Sequence, residues 1–336
     1  MIYKQLTRFV NFLSEKEAKL VYKKYKPKIV SIVGSNYVAP ASYAVFTALS
    51  KFYFVRQGGQ NPHLSILGFE NNQNNFWEWI LILTEGLALI ILPNHYPEWL
   101  IVESKFDGAD YFVLVDEQSS LVTKDYGVVY GENSLPKGMT FKILDKNEEY
   151  PVYIESTIGE AQIRPILKAF DLCLTLGIQS SVLAKAFSDL HEPNDNYMKL
   201  VAGIRGSMII DDTHDASTES LIDGIKTLGS LDKPKRRIAV LGDILILDRF
   251  SIEEHKKVGQ EVSDKIDILV TVGIRARNIT EEALNNGYPE SRAFQFDEAE
   301  EAGDFIQNLI REGDVVYASG AMGMHVEKIV EAIKYE

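Results

Sequence analysis

The sequence predicts an α/β protein of two units: a P-loop-like first unit, then a doubly wound, Rossmann-like second one. Three observations carry that expectation. At 336 residues the chain is long enough for about two domains, each with a real core. An apolar run at residues 29–33 breaks at Gly34 and a helix-like segment follows, the strand–glycine–helix order that aims backbone N–H groups at phosphates. From Arg237 onward, short apolar runs alternate with amphipathic stretches and short turns. That is the pattern of a parallel sheet whose ligands lie at the carboxyl ends of its strands.

In chain order, residues 1–26 read as a charged amphipathic leader without the cleavage site or apolar core of a secretory signal. A buried strand at 29–33 and a helix at 42–51 follow. Residues 77–92 are the longest apolar stretch, broken by Glu78, Thr84, Glu85 and Gly86, and fall short of the ~20 apolar residues a membrane span needs. A core-facing helix is expected there, in preference to one resting on a membrane through Trp77 and Trp79. The polar run 71–75 is expected to cap it. A strand at 99–103, β segments at 111–115, 127–130, 140–144 and 152–155, and helices at 162–176 and 180–190 complete the first unit. Residues 192–196 are polar and turn-rich, which sets the organisation as 1–26, 27–199 and 200–336.

The second unit reads as strands at 208–212 and 237–243 and a helix at 251–265, capped by Ser251 with Glu254 three residues on. A strand at 268–273 and a helix ending at Asn286 and Gly287 come next. Then follow a strand at 293–296, a helix at 298–310, a strand at 315–318 and a helix at 324–333.

Composition excludes several function classes. Thirty-five basic against 48 acidic residues leave a net charge of −13, which argues against a nucleic-acid partner. The single cysteine, Cys173, lies in an apolar helical pattern and reads as a small buried hydrophobe; a reducing, cytoplasmic setting is expected. His63, His95, His191, His255 and His325 lack metal-ligand spacing. Gly242 with Asp243 is too short for a dinucleotide fingerprint, and no serine-nucleophile elbow exists.

The residues that remain lie at strand ends. Gly34, Ser35 and Asn36 either cradle an anion through backbone N–H groups or make a tight strand-to-helix turn. A working phosphate loop would carry a second glycine, a lysine and a Ser/Thr for magnesium; here Tyr37, Val38 and Ala39 stand there, and Pro40 removes one more donor. Glu103 ends a strand, where it either holds a metal or faces solvent. Asp211 and Asp212 end another and either bind a ligand or cap the next helix. His214 and Asp215 follow, with the imidazole able to stack on a base. Gly320 to Gly323 make either a small anion nest or a close-packed turn.

Taken together, several stretches resemble the Mur ligases, and within them the branch that adds D-alanyl-D-alanine, across most of residues 27–336. They are 32–36, 101–103, 209–212 with Ala216 and Glu219, 238–243, His255 with Val258 and Gly259, 270–273, and 313–316 with Gly323, Met324, Glu327 and Lys328. The resemblance implies an ATP- and Mg2+-dependent enzyme that forms an amide bond through an acyl phosphate, with a central nucleotide-binding domain and a C-terminal domain that closes over it. On that basis Gly34, Ser35, Asn36, Asp212, His214, Asp215 and Asp243 fall at nucleotide-binding positions, and Glu103 at a metal position. The N-terminal substrate domain is reduced to the leader.

The departures run one way. The loop lysine and magnesium hydroxyl are Val38 and Ala39, an expected arginine is Tyr197, an expected glutamate is Ile246, and the polar residues of the last motif are Ser319, Ala321 and Met322. Phosphoryl transfer is catalysed chiefly by positioning and charge, and losing one such donor costs ~10²–10³ in rate. The expectation is therefore a Mur-ligase-like protein of the peptidoglycan-precursor pathway that has lost catalysis. It would act by binding an active Mur ligase or a cell-wall precursor. The alternative is a divergent ATP-dependent carboxylate–amine ligase.

Overall fold

The computed structural model describes residues 2–69, 76–92, 95–131, 133–188, 197–214, 216–245, 250–262 and 265–335. The polar run 71–75, the linker 192–196, His191, Asp215 and Ile246 lie outside them. Packing divides the chain into residues 1–121 with 164–187, and residues 122–163 with 188–336.

The first unit contains α1 (Ile2–Tyr25), β1 (Lys28–Val33), α2 (Val38–Ser50), β2 (Val55–Gln57), α3 (Pro62–Leu67), α4 (Phe76–Ile91), β3 (Trp99–Val102) and β4 (Tyr111–Leu114). Most of α5 (Ile163–Thr175) and α6 (Ser180–Ser188) also belongs to it. Its sheet is parallel throughout, in the order β2-β3-β1-β4, with Val30 opposite both Ile101 and Tyr111. β1 is an interior strand of this sheet, and its apolar run is buried.

The leader is part of this unit's core. Ala18 and Val21 of α1 are fully buried. Lys24 Nζ donates to the carbonyls of Leu89, Ile90 and Leu92 at 2.8, 3.1 and 2.7 Å, which places a cation at the negative end of α4. Tyr25 stacks on Tyr96 at 4.5 Å. On α4, Trp79, Ile82 and Leu89 are buried, whereas Trp77 is 77% exposed. The core-facing expectation thus describes only one of its faces. Among the described residues no helix is long and apolar enough to cross a membrane.

α2 begins at Val38, earlier than the expected 42, directly after Tyr37 in a left-handed conformation (φ 59°). Pro40 does not delay it, because the first turn of a helix has no intrahelical use for N–H groups. β2 and α3 had no counterpart in the sequence pattern; each is too short to set a period.

The second unit opens with an antiparallel meander of β5 (Val122–Tyr130), β6 (Pro136–Asp145) and β7 (Glu148–Glu155). Its main sheet is built from β8 (Lys199–Gly203), β9 (Ser207–Asp212), α7 (Thr218–Ser230), β10 (Arg236–Gly242), α8 (Ser251–Glu261) and β11 (Ile268–Val272). α9 (Arg277–Asn285), β12 (Ala293–Phe296), α10 (Ala299–Leu309), β13 (Asp314–Ser319) and α11 (Val326–Ile333) complete it. The order is β12-β11-β10-β13-β9-β8, parallel except for β8. α7, α8 and α9 pack in series, while α10 and α11 pack together over a core of Val240, Val270, Val316, Ile306 and Ile329. Helices on both faces confirm the doubly wound reading.

Two local expectations change. The division by packing is not a single cut near residue 200: the meander belongs with the second unit. Leu200 N–H donates to the Ser156 carbonyl at 2.8 Å and Thr157 Oγ1 to the Met198 carbonyl at 3.0 Å, tying the end of β7 to the start of β8. Ser251 is not the cap of α8 but its first residue, after Phe250. Its carbonyl is engaged instead by His255, and the helix ends at Glu261.

Candidate functional site

In the first unit, the chain turns sharply at Gly34 on leaving β1. A Cβ there would lie 3.0 Å from Val115 Cβ and 3.3 Å from Asp116 Oδ1, so the turn packs against the segment that follows β4. That approach brings a carboxylate onto the loop. Ser35 N–H donates to Asp116 Oδ2 at 2.8 Å and Oδ1 at 3.1 Å, and Ser35 Oγ donates to Oδ1 at 3.0 Å. Asn36 Nδ2 reaches Ser35 Oγ at 3.5 Å. The loop therefore does bind an anion, and the anion belongs to the chain itself.

Nearby polar groups are engaged in packing. Gly58 lies so close to Ser65 that a Cβ would meet its Oγ at 2.3 Å, and Gly59 N–H donates to the same hydroxyl at 3.1 Å. Asn61 caps α3 through the N–H groups of His63 and Leu64. Glu103 follows β3, with its N–H on the Gly59 carbonyl at 3.1 Å. The first turn of α2 presents Val38, Ala39 and Pro40, which offer neither an ammonium group nor a hydroxyl. Among the described residues no group of three or more His, Cys, Asp or Glu is arranged to hold a metal ion.

In the second unit, the carboxyl ends of the parallel strands gather the remaining candidates. Asp212 ends β9 beneath the surface, 4% exposed. It accepts from Tyr317 Oη at 2.9 Å, Met198 N–H at 3.2 Å and Ser319 Oγ at 3.4 Å. Burial pushes its carboxyl up to about 8 against those hydrogen bonds. Asp211 accepts from Thr213 Oγ1 at 2.7 Å and Thr213 N–H at 3.2 Å, and burial raises it as well. Neither aspartate caps a helix: Ser217 does, in a reciprocal pair with Ser220. His214 lies against Tyr197, with ring centroids 4.6 Å apart.

Asp243, after β10, is 5% exposed and accepts from Ala276 N–H at 2.7 Å. Arg275 Nη1 lies 4.0 Å from its Oδ2. Gly273 makes this possible, since with φ 106° a Cβ there would lie 2.5 Å from Asp243 Oδ1. Gly242 and Gly320 meet side by side, each leaving no room for a side chain against Val326, so the Gly320 turn is a close-packed one. His255 is fully buried: Ile244 N–H donates to its Nε2 at 3.0 Å, which leaves Nδ1 to donate to the Ser251 carbonyl at 2.6 Å. Burial lowers its basicity, so it stays neutral and holds the Asp243–Ile244 turn in place.

A pocket of about 480 Å³ opens above these strand ends, lined by Asp243, Arg275, Asp297, Glu298, Glu300 and His325 among others. It lies where α9 and α10 leave neighbouring strands for opposite faces of the sheet, the place where open α/β sheets bind ligands. Asp297 pairs with Arg277 at 2.6 Å and Glu300 with Lys328 at 2.6 Å. Of the residues singled out from sequence, Asp243, Gly273, Gly323 and Met324 line it. Arg275, Asp297 and Glu298 were missed, although each lies within two residues of a predicted strand end.

Comparison with known proteins agrees with this architecture. Residues 198–322 match the Mur ligase, glutamate ligase domain. The UDP-N-acetylmuramoyl-tripeptide–D-alanyl-D-alanine ligase of Bacillus subtilis is 27% identical over 175 residues, 52% of this chain and 38% of that enzyme. Over residues 198–322 the chain is therefore similar to the Mur ligases. It aligns with only about two-fifths of the length of that curated relative. Mur ligase folds also extend over the whole chain. A MurF ligase of Thermotoga maritima, solved with ADP, superposes with a TM-score of 0.70 at 15% identity, covering 96% of this chain and 83% of its own. A pseudomurein peptide ligase of Methanothermus fervidus gives 0.57 at 14% identity, over 93% and 80%.

Proposed function

We propose that this Mur-ligase-like chain serves the peptidoglycan-precursor pathway in the cytoplasm by binding, without ATP-driven ligation. One observation carries the reading: the Asp116 carboxylate is seated on Ser35 N–H and Oγ, in the turn where a phosphate loop holds its anion. A nucleotide phosphate would have to displace a group of its own sign. Val38, Ala39 and Pro40 offer nothing to offset that repulsion. The positions Gly34, Ser35, Asn36, Asp212, His214 and Asp243 are then remnants of a nucleotide site, with Asp212 buried and His214 held against Tyr197. The pocket over the second sheet is lined by a half-exposed guanidinium, Arg275, and by the Glu298 carboxylate. That pairing of charges suits the amino and carboxyl groups of a peptide-like cell-wall precursor.

The second reading is an ATP- and Mg2+-dependent acid–amine ligase with relocated cations. It is favoured by the ADP bound to the Thermotoga maritima MurF, whose fold this chain shares. Calorimetric titration of ATP with and without magnesium separates the two, on the wild type and on the double variant Val38→Lys, Ala39→Thr. Binding is expected only in the variant. Magnesium-dependent micromolar binding by the wild type would overturn the first reading in favour of the second.

A further inference from the structure

α4 is apolar on both sides. Its inward face buries Trp79, Ile82 and Leu89 against the first unit. Its outward face exposes Trp77 (77%), Leu81 (51%), Leu87 (50%) and Ile91 (67%), with Ile80 at 36% and Leu92 just beyond the helix at 55%. A helix that is apolar all round is ordinarily buried all round. From these exposures the outward apolar area is roughly 700 Å², above the 300–600 Å² that the largest patch of a monomer usually reaches.

We infer that this face pairs with α4 of a second copy of the chain, antiparallel, about a two-fold axis at Thr84. Four observations support that occupant, and none depends on the reading of the nucleotide loop. Residues 77, 81, 84, 88 and 91 recur at alternating steps of four and three, the spacing of a seam between two helices. An axis at Thr84 makes the seam self-complementary, as a two-fold interface requires. Leu81 then meets Leu87 of the second copy, Ile80 meets Ala88, Trp77 meets Ile91, and the small Thr84 sits at the crossing. Antiparallel pairing also opposes the helix dipoles favourably. Doubling the exposed area gives about 1,400 Å², within the 1,200–2,000 Å² of stable specific interfaces.

Charge selects the same occupant. Two copies at −13 each repel, so they can join only through a face almost without charge. The outward face of α4 carries a single exposed charge, Glu85, at its edge. The same −13 disfavours an anionic membrane as the cover.

The test is sedimentation of the full chain at ~100 µM, with the exposed-site variant Leu81→Glu alongside. The wild type is expected at twice 37.9 kDa. Leu81→Glu is expected as a monomer with unchanged circular dichroism, its dimer dissociation constant raised at least ~100-fold. Thr84→Cys is expected to form a disulfide-linked dimer on mild oxidation, without background from Cys173, which is fully buried. A monomeric wild type overturns the inference, as does a Leu81→Glu protein that remains dimeric. Failure of Thr84→Cys to cross-link within a dimer overturns the antiparallel pairing. A monomer that co-sediments with phosphatidylcholine vesicles assigns the face to lipid instead.

Discussion

Tyr317 on β13 donates its hydroxyl to Asp212 on β9 across 2.9 Å, and the register that places Ser319 opposite Asp212 closes the same carboxylate from a third side. The Asp212 carboxylate is therefore enclosed by its own sheet. Burial raises Asp212 to about 8, far above the ordinary value of 3.8.

That shift fixes the sign of a pH effect. A carboxyl whose folded pKa is raised stabilises the fold fully below its unfolded pKa, and the contribution fades as pH rises through the folded value. The melting temperature should fall between roughly pH 4 and 8. Asp212→Asn should flatten that fall, leaving a smaller slope from Asp211, which is raised in the same direction. Thermal scans across that range check it; identical slopes in variant and wild type would show that Asp212 ionises freely.

Removing the internal anion should open the loop of the first unit. Asp116→Ala leaves Ser35 N–H and Oγ without their carboxylate, at a cost of about 1–2 kcal/mol in stability. Inorganic phosphate, silent with the wild type, should then give a measurable heat in calorimetry. An Asp116→Ala protein as indifferent to phosphate as the wild type would count against an anion seat at this turn.

Lys24 ties the leader to α4. Lys24→Met keeps the aliphatic stem and removes three hydrogen bonds to carbonyls at and just beyond the end of that helix. A loss of about 1–2 kcal/mol is expected by urea unfolding. A change below a few tenths would mean that water replaces the ammonium group without cost.

Gly273→Ala should be severe for its size. The position has φ 106°, and the added methyl would sit 2.5 Å from Asp243 Oδ1. About 2–4 kcal/mol of destabilisation is expected from strain and overlap together. Gly287→Ala is the control, because φ is also positive (90°) there but nothing lies within 4 Å. Equal losses at the two glycines would attribute the effect to backbone strain alone.

Much of the site was legible as position and little of it as contact. The strand ends at Gly34, Asp212 and Asp243 could be placed from apolar runs that stop at a glycine or a carboxylate. Asp116 could not be assigned to Ser35, since 81 residues separate them and only the β1–β4 pairing brings them together. Arg275 and Glu298 escaped notice because a pocket lining is drawn from loops that have no shared spacing.

By itself the sequence determined the elements with a clear period: the buried strand 29–33, the alternation after Arg237, the burial of Cys173 and the likeness of the second half to Mur ligases. Apolar periodicity reports which side of an element must leave water, and that is a local property. Tertiary structure decided the rest. It made the leader a core helix, joined the 122–155 meander to the second unit, seated Asp116 on the Ser35 turn and left one apolar face of α4 in water. Each of these depends on which surfaces meet, and distant surfaces are paired by shape and enclosed charge, which no short window of sequence contains.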